Sequence, residues 1–175
     1  MKFFLFLFFP VFSFFSQTEW QEYKDPDGRF KVLVPGQMTE KVDSVETEIG
    51  LLAYHNFIFQ EEGEGTDSLI YMAGYVDYPE GIIFADSVGL AAEFFQNTME
   101  AAAGSMDGEI MYDADIQLDG HAGKLWRINF MDGQAVIKTK AFLVKNSYCF
   151  IQTISFKPWG ASSSSERFLG SLKLL

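Results

Sequence analysis

The chain has 175 residues, with 13 basic and 24 acidic side chains, a formal net charge of −11 and one cysteine. That balance disfavours nucleic acid as a partner, because binding a polyanion relies on clustered Lys and Arg that release counterions. A single thiol excludes an internal disulfide, so the fold must rest on its core.

Residues 1–17, MKFFLFLFFPVFSFFSQ, carry Lys2 and then an apolar run from Phe3 to Phe15. A short positive end, an apolar stretch and then small or polar residues form the pattern of a secretory signal peptide. A membrane-spanning helix needs about 20 apolar residues. This run is shorter and contains Pro10, so cleavage is expected, with no stable membrane span left afterwards. No cysteine lies near the junction, so a lipoprotein anchor is not expected. Eight of the 19 phenylalanines fall in this segment, which assigns much of the aromatic content to export. Residues 18–175 are read as one exported domain, periplasmic or secreted, of a size suited to a single core.

Within that domain, Trp20 and Tyr23 precede Asp25-Pro26-Asp27-Gly28, and Phe30, Val32 and Val34 then alternate. Turn chemistry followed by alternation predicts a first β-hairpin, closed off by Pro35-Gly36. Two strands are predicted over Met38 to Glu46 and Leu51 to Gln60, the first polar enough to be an edge. After an acidic, glycine-containing loop, LIYMAGYVDY predicts a further strand that ends at Pro79.

The period then changes. Val88, Ala92, Phe95, Met99 and Ala102 recur at helical spacing, opposite Glu93, Gln96, Asn97 and Glu100. A helix from Asp86 to Ala103 is predicted, with Asp86 as N-cap and Gly104 as its stop.

Four strands follow, over Glu109 to Gln117, Ala122 to Met131, Gln134 to Lys145 and Ser147 to Phe156. Asp132-Gly133 predicts a tight type I′ corner, and Asn146 closes the next one. Asp119, Gly120 and Gly123 are placed at the first corner, where backbone geometry alone accounts for the glycines. His121 projects from that corner with no His or Cys at ligand spacing. The last strand is apolar on both parities, Tyr148, Phe150 and Ile154 against Cys149 and Ile151, which calls for cover on both faces of the sheet. Cys149 reads as a buried strand thiol, and His55 as a strand residue. Near the C-terminus, Ser163 and Glu166 stand at capping-box spacing, followed by an apolar stripe of Phe168, Leu169 and Leu172.

This order resembles the PsbP-like fold, shared by the extrinsic photosystem subunit PsbP, the Ran-binding Mog proteins and exported bacterial relatives such as DcrB. The matching residues are Gly28, Phe30, Val32 and Pro35 near the start, and Phe168, Leu169, Ser171, Leu172 and Leu174 at the end, with nearly the whole mature chain covered. The resemblance implies an α+β domain, an antiparallel sheet with helices on both faces in an α-β-α sandwich. It also implies a non-enzymatic binding or assembly module. It carries over no catalytic residue and no cofactor, and as fold analogy it is an associational warrant for function.

Three functional classes compete. A protein-binding module has its local candidate in Ile82, Ile83 and Phe84, adjacent apolar residues in a connection that either dock a partner or tuck beneath the helix. Divalent-cation or small-ligand binding would use Glu61, Glu62, Glu64 and Asp67, or Asp25 and Asp27, since hard cations take several carboxylate oxygens. Neither stretch follows the calcium-loop pattern, and solvated loop charge explains both. An enzyme is not expected, because the chain lacks G-x-S-x-G, H-E-x-x-H, a phosphate loop and paired CxxC. The sequence reading is therefore an exported binding module whose partner is another envelope or secreted protein, with cation or small-ligand binding as the alternative. The exported form is predicted to begin between Phe14 and Thr18. N-terminal sequencing checks this, and Met1 intact on a membrane-bound product would overturn it.

Overall fold

The computed structural model describes residues 19–61, 69–82, 87–156 and 162–175. The predicted signal peptide lies outside them. In chain order the elements are β1 (Gln21–Lys24), β2 (Phe30–Val34), β3 (Thr39–Thr47), β4 (Gly50–Gln60), β5 (Leu69–Asp77), α1 (Val88–Ser105), β6 (Glu109–Leu118), β7 (His121–Phe130), β8 (Ala135–Val144), β9 (Ser147–Ser155), α2 (Ser163–Leu169) and β10 (Lys173–Leu174). They build a seven-stranded antiparallel sheet in the order β3-β4-β5-β9-β8-β7-β6 and a three-stranded sheet in the order β1-β2-β10.

Alternation along the central strands divides the core in two. Cys149 and Ile151 of β9 join Tyr71, Ala73 and Tyr75 of β5 on one face, packed against Phe30, Val32 and Val34 of β2 and Phe168 and Leu169 of α2. Tyr148 and Phe150 of β9 and Leu143 of β8 point the other way, against Phe95 and Met99 of α1. The two-sided apolar pattern of β9 is thus met by two different covers. Burying Phe95 and Met99 contributes roughly 1.5–3 kcal/mol each.

A helical layer on each face is not evident. The cover over Tyr71 and Tyr75 is shared between the small sheet and the seven-residue α2, so the fold is dominated by antiparallel strands. The small sheet is closed by β10, whose Leu174 pairs with Phe30.

Several local expectations are corrected. The N-cap of α1 is Ser87, and Asp86 lies outside the described residues. Gly104 does not stop the helix. The chain turns at Asp107, with φ of 51°, and the Gly108 N–H donates to Ala103 O at 2.9 Å. The buried stripe of α1 is Ala91, Phe95, Met99 and Ala103, while Ala92 is exposed. For α2 the N-cap is Ser162, whose Oγ accepts from Ser165 N at 3.1 Å, so the Ser163–Glu166 capping box does not form.

Asp132-Gly133 behaves as the type I′ chemistry requires, with φ of 54° and 80° and Gln134 N donating to Met131 O at 3.0 Å. That corner is a four-residue loop, Met131–Gln134, in which Met131 also has a positive φ of 53°, whereas Asp119-Gly120 makes a two-residue corner, with φ of 52° and 83° between Leu118 and His121. Gly123 is not part of it. It sits inside β7, paired with Phe142, where a Cβ would lie 2.6 Å from Ala141 O and closer still to the Phe142 ring. Gly123→Val is therefore expected to cost about 1–3 kcal/mol by overpacking, measured by urea unfolding. Gly120→Ala should cost about 1–2 kcal/mol through left-handed backbone strain, and His121→Ala under about 0.5 kcal/mol.

Candidate functional site

The sequence candidates are scattered. Ile82 is 42% exposed, while Ile83 and Phe84 lie outside the described residues. Of the acidic loop, only Glu61 is described, and its Oε1 accepts from Tyr71 OH at 2.8 Å; Glu62, Glu64 and Asp67 lie outside. Among the described residues no group of three or more His, Cys, Asp or Glu side chains is placed to hold a metal ion. His55 and His121 belong to different parts of the sheet: β4 beside its β3 edge, and the β6–β7 corner. The Cys149 thiol is buried and pushed up to about 12, chiefly by burial, so the thiolate is suppressed at neutral pH.

The structure does assemble a polar network that sequence reading did not find. It lies where the Asp25–Gly28 turn meets the ends of β5 and β9. Arg29 donates from Nη1 to Asp77 Oδ1 and from Nη2 to Oδ2, both at 2.6 Å, and from Nη1 to Ser147 Oγ at 2.9 Å. Ser147 Oγ in turn donates to Asp77 Oδ1 at 2.5 Å. The guanidinium lies 4.4 Å from the centre of the Tyr75 ring, and the Tyr75 hydroxyl donates to Asp27. His55 stacks on the same ring at 4.6 Å, with its Nδ1 3.2 Å from Glu40 Oε1. A planar fork that pairs a carboxylate and also covers an aromatic ring is a task for Arg and not for Lys.

This network ties elements together. Asp77 is held by both Arg29 and the Ser147 hydroxyl, and the Tyr75 hydroxyl is held protonated, well above its ordinary value, by burial and by Asp27. Asp25 anchors the turn, its Oδ2 accepting from Arg29 N at 2.9 Å. Asp25 is 1% exposed, and its Oδ1 has no hydrogen-bond partner.

A second surface is apolar and open. Val42 and Val45 of β3 are 49% and 45% exposed, and Leu51 of β4 is 70% exposed, with Ile49 in the turn between them. The small sheet covers the Phe57 end of β4, through Tyr23 and Phe30 at ring separations of 5.6 and 5.7 Å, and leaves the hairpin tip bare. Around it stand Glu40, Asp43, Glu46 and Glu48. A separate cleft of about 380 Å³ opens between α1 and the β6–β7 hairpin, lined by Ala91, Ala92, Phe95, Gln117 and Ala122. No helix among the described residues is long and apolar enough to cross a membrane.

Together these features define an antiparallel two-sheet sandwich with one long helix across the large sheet. No family model and no curated protein matches the sequence. The structure, however, is similar to that of cyanobacterial PsbP from Synechocystis, with a TM-score of 0.60 and 10% identity over 92% of this chain and 95% of that one. A protein of unknown function from Pseudomonas aeruginosa overlaps at a TM-score of 0.36, with 10% identity over 78% and 82% of the two chains, and carries no argument. The chain has the PsbP-like fold. At this identity the likeness concerns the fold alone.

The buried Asp25 carboxyl gives this region a pH signature. Burial, the largest cause, raises it above the ordinary carboxylate value, against the N–H bonds from Arg29 and Asp27. Between about 3.8 and that higher value, the native state keeps a proton that the unfolded chain has released, so this group's contribution to stability falls as pH rises. Asp25→Asn keeps an acceptor for Arg29 N without the buried charge. Relative to the parent, its midpoint of urea unfolding is expected to improve from pH 3 to pH 7, and an unchanged difference would contradict the assignment.

Proposed function

We propose that the chain is an exported, non-enzymatic assembly module that docks onto another protein of the envelope or extracellular space through the β3–β4 hairpin. The observation that carries this reading is the run of four exposed large apolar side chains, Val42, Val45, Ile49 and Leu51, in one hairpin. Val42 and Leu51 lie on one face of the hairpin and Val45 on the other, with Ile49 at the turn. Apolar side chains grouped at an exposed tip mark an interaction site, and covering apolar surface gains roughly 25 cal/mol per Å². The state of the reactive groups supports a non-enzymatic role: Cys149 is buried with its thiolate suppressed, and Asp77 is neutralised by Arg29 beside Ser147. The signal-like N-terminal segment supports export.

This reading moves the docking surface from the Ile82 connection to the hairpin tip. Crosslinking of the tagged protein in its native compartment, followed by mass spectrometry, tests it. Ile49→Ser combined with Leu51→Ser is expected to remove the captured partner while changing the melting temperature by no more than an ordinary surface substitution does, within about 0.5 kcal/mol per site. Ile82→Ser should leave capture intact. Capture that survives in the hairpin variant, or that is lost only with Ile82→Ser, would overturn the assignment.

A further inference from the structure

The hairpin presents an edge as well as a tip. β3 borders the seven-stranded sheet, and among the described residues no strand pairs with its outer side. An edge strand carries a row of backbone N–H and C=O groups without ladder partners, a template for another chain. Proteins blunt such edges with bulges, prolines, short strands or charged side chains, lysine above all. β3 has no bulge or proline and is not short, and its one lysine, Lys41, is paired with Asp43. Its nine residues pair with β4 in unbroken register from Thr39↔Ile58 to Thr47↔Gly50, whereas β6, at the opposite border, is bulged between Ile110 and Tyr112.

The side chains of β3 indicate what would pair there. Val42 and Val45 face opposite sides of the sheet and are half exposed, so each lacks an apolar neighbour on the outer side. Glu40, Asp43 and Glu46 make the edge acidic. A second copy pairing through β3 would set these charges against one another, and like charges directly opposite are destabilising; pairing through β6 would meet its bulge between Ile110 and Tyr112. A strand that bears Lys or Arg between apolar residues meets both requirements. At the Thr39 end a hollow of about 710 Å³, lined by Gln37, Thr39, Lys41, Ile58 and Phe59, has room for a large side chain of such a strand.

We propose that β3 accepts a basic, alternately apolar extended segment of a partner protein as an eighth strand of the large sheet. This rests on the docking reading above and specifies its partner and its geometry.

The test uses the processed full-length protein and a nine-residue peptide that alternates lysine and valine, matched to the length of β3. Amide hydrogen exchange is followed residue by residue. The lysine peptide should slow exchange in β3 by at least about tenfold and leave β6 unchanged, while a glutamate–valine peptide should do neither. Two further lysine peptides, N-methylated at alternate residues in the two possible phases, separate strand pairing from charge attraction. One phase should bind at least about tenfold more weakly than the other, because only one set of peptide N–H groups faces the edge. Equal effects of the two phases, or no protection of β3, would overturn the proposal. So would protection of β3 that grows with protein concentration without peptide, which would make a second copy the occupant. Val42→Lys with Val45→Lys should weaken the lysine peptide at least about tenfold without lowering the melting temperature. If this variant still captures the native partner while the Ile49→Ser, Leu51→Ser variant does not, docking at the tip stands and strand addition fails.

Discussion

The fold depends on the two-sided burial of β9. Tyr148 and Phe150 face one way, Cys149 and Ile151 the other, and both sets are buried. A strand of this kind cannot border solvent on either face, so the sheet around it requires two covers. On one side α1 lays Ala91, Phe95, Met99 and Ala103 across the sheet. On the other, no long helix lies among the described residues, and the N- and C-terminal segments combine instead. Leu174 pairs with Phe30, Leu33 N donates to Ser171 Oγ at 2.8 Å, and Phe168 meets Tyr71 edge-on at 5.1 Å. With no disulfide available, this joining of the N- and C-terminal segments rests on burial, backbone pairing, the Ser171 hydrogen bond and the Arg167 guanidinium 4.5 Å from the centre of the Trp20 ring.

Both covers are narrower than the sheet they protect. The small sheet reaches Phe57 and Tyr75 but not Leu51, and the network of Arg29, Asp77, Ser147 and Tyr75 marks its limit. Arg29 leads into β2, Asp77 ends β5 and Ser147 begins β9, so one guanidinium fastens the cover to the two innermost strands of that face. Asn146 does similar work at the neighbouring corner, where its Nδ2 donates to Tyr78 O at 2.8 Å and its carbonyl accepts from Tyr78 N at 2.9 Å. The bare hairpin tip and the edge of β3 are consequences of where these fastenings stop.

Much of this was legible in the sequence, for local reasons. Alternation and turn chemistry located the strands of both hairpins and of the meander to within a residue or two, and the polarity of Thr39–Thr47 marked it as an edge. The helix cap went to the wrong neighbour because Asp86 and Ser87 are adjacent and both are competent caps. What sequence could not show depended on partners far apart in the chain. Arg29 and Asp77 are 48 residues apart, and nothing local marks either as half of a pair. Leu51 and Leu52 are adjacent and chemically identical, yet one is 70% exposed and the other 4%. Period two distinguishes their faces, but the width of each cover decides which face is left in water. β10 has two residues and exists only because β2 is there to pair with it. Gly123 read as a turn because its requirement, space for the Phe142 ring and for Ala141 O on the adjacent strand, has no signature within its own strand.

The two borders of the large sheet carry similar charge but are managed differently. On β6, Lys124 of the neighbouring strand reaches back to Asp113 at 2.5 Å and to Asp115 at 3.1 Å, and these bonds, Asp113 first, hold its ammonium above the ordinary lysine value despite some burial. Two carboxylates of that border therefore share one ammonium within the molecule, and its bulge disrupts the register another strand would need. On β3 the one basic residue, Lys41, pairs with Asp43 two positions along the same strand at 2.9 Å, with both side chains well exposed. An exposed pair of this kind contributes roughly 0–1 kcal/mol and is easily exchanged for another cation. Glu40 is shared with His55, and no basic side chain among the described residues forms an ion pair with Glu46. The irregular border thus has a well-covered lysine shared between two carboxylates, while the regular one keeps only exposed pairs and stays acidic and long. Such an edge resists pairing with its own kind through charge repulsion, and the same repulsion is relieved when the incoming strand is basic.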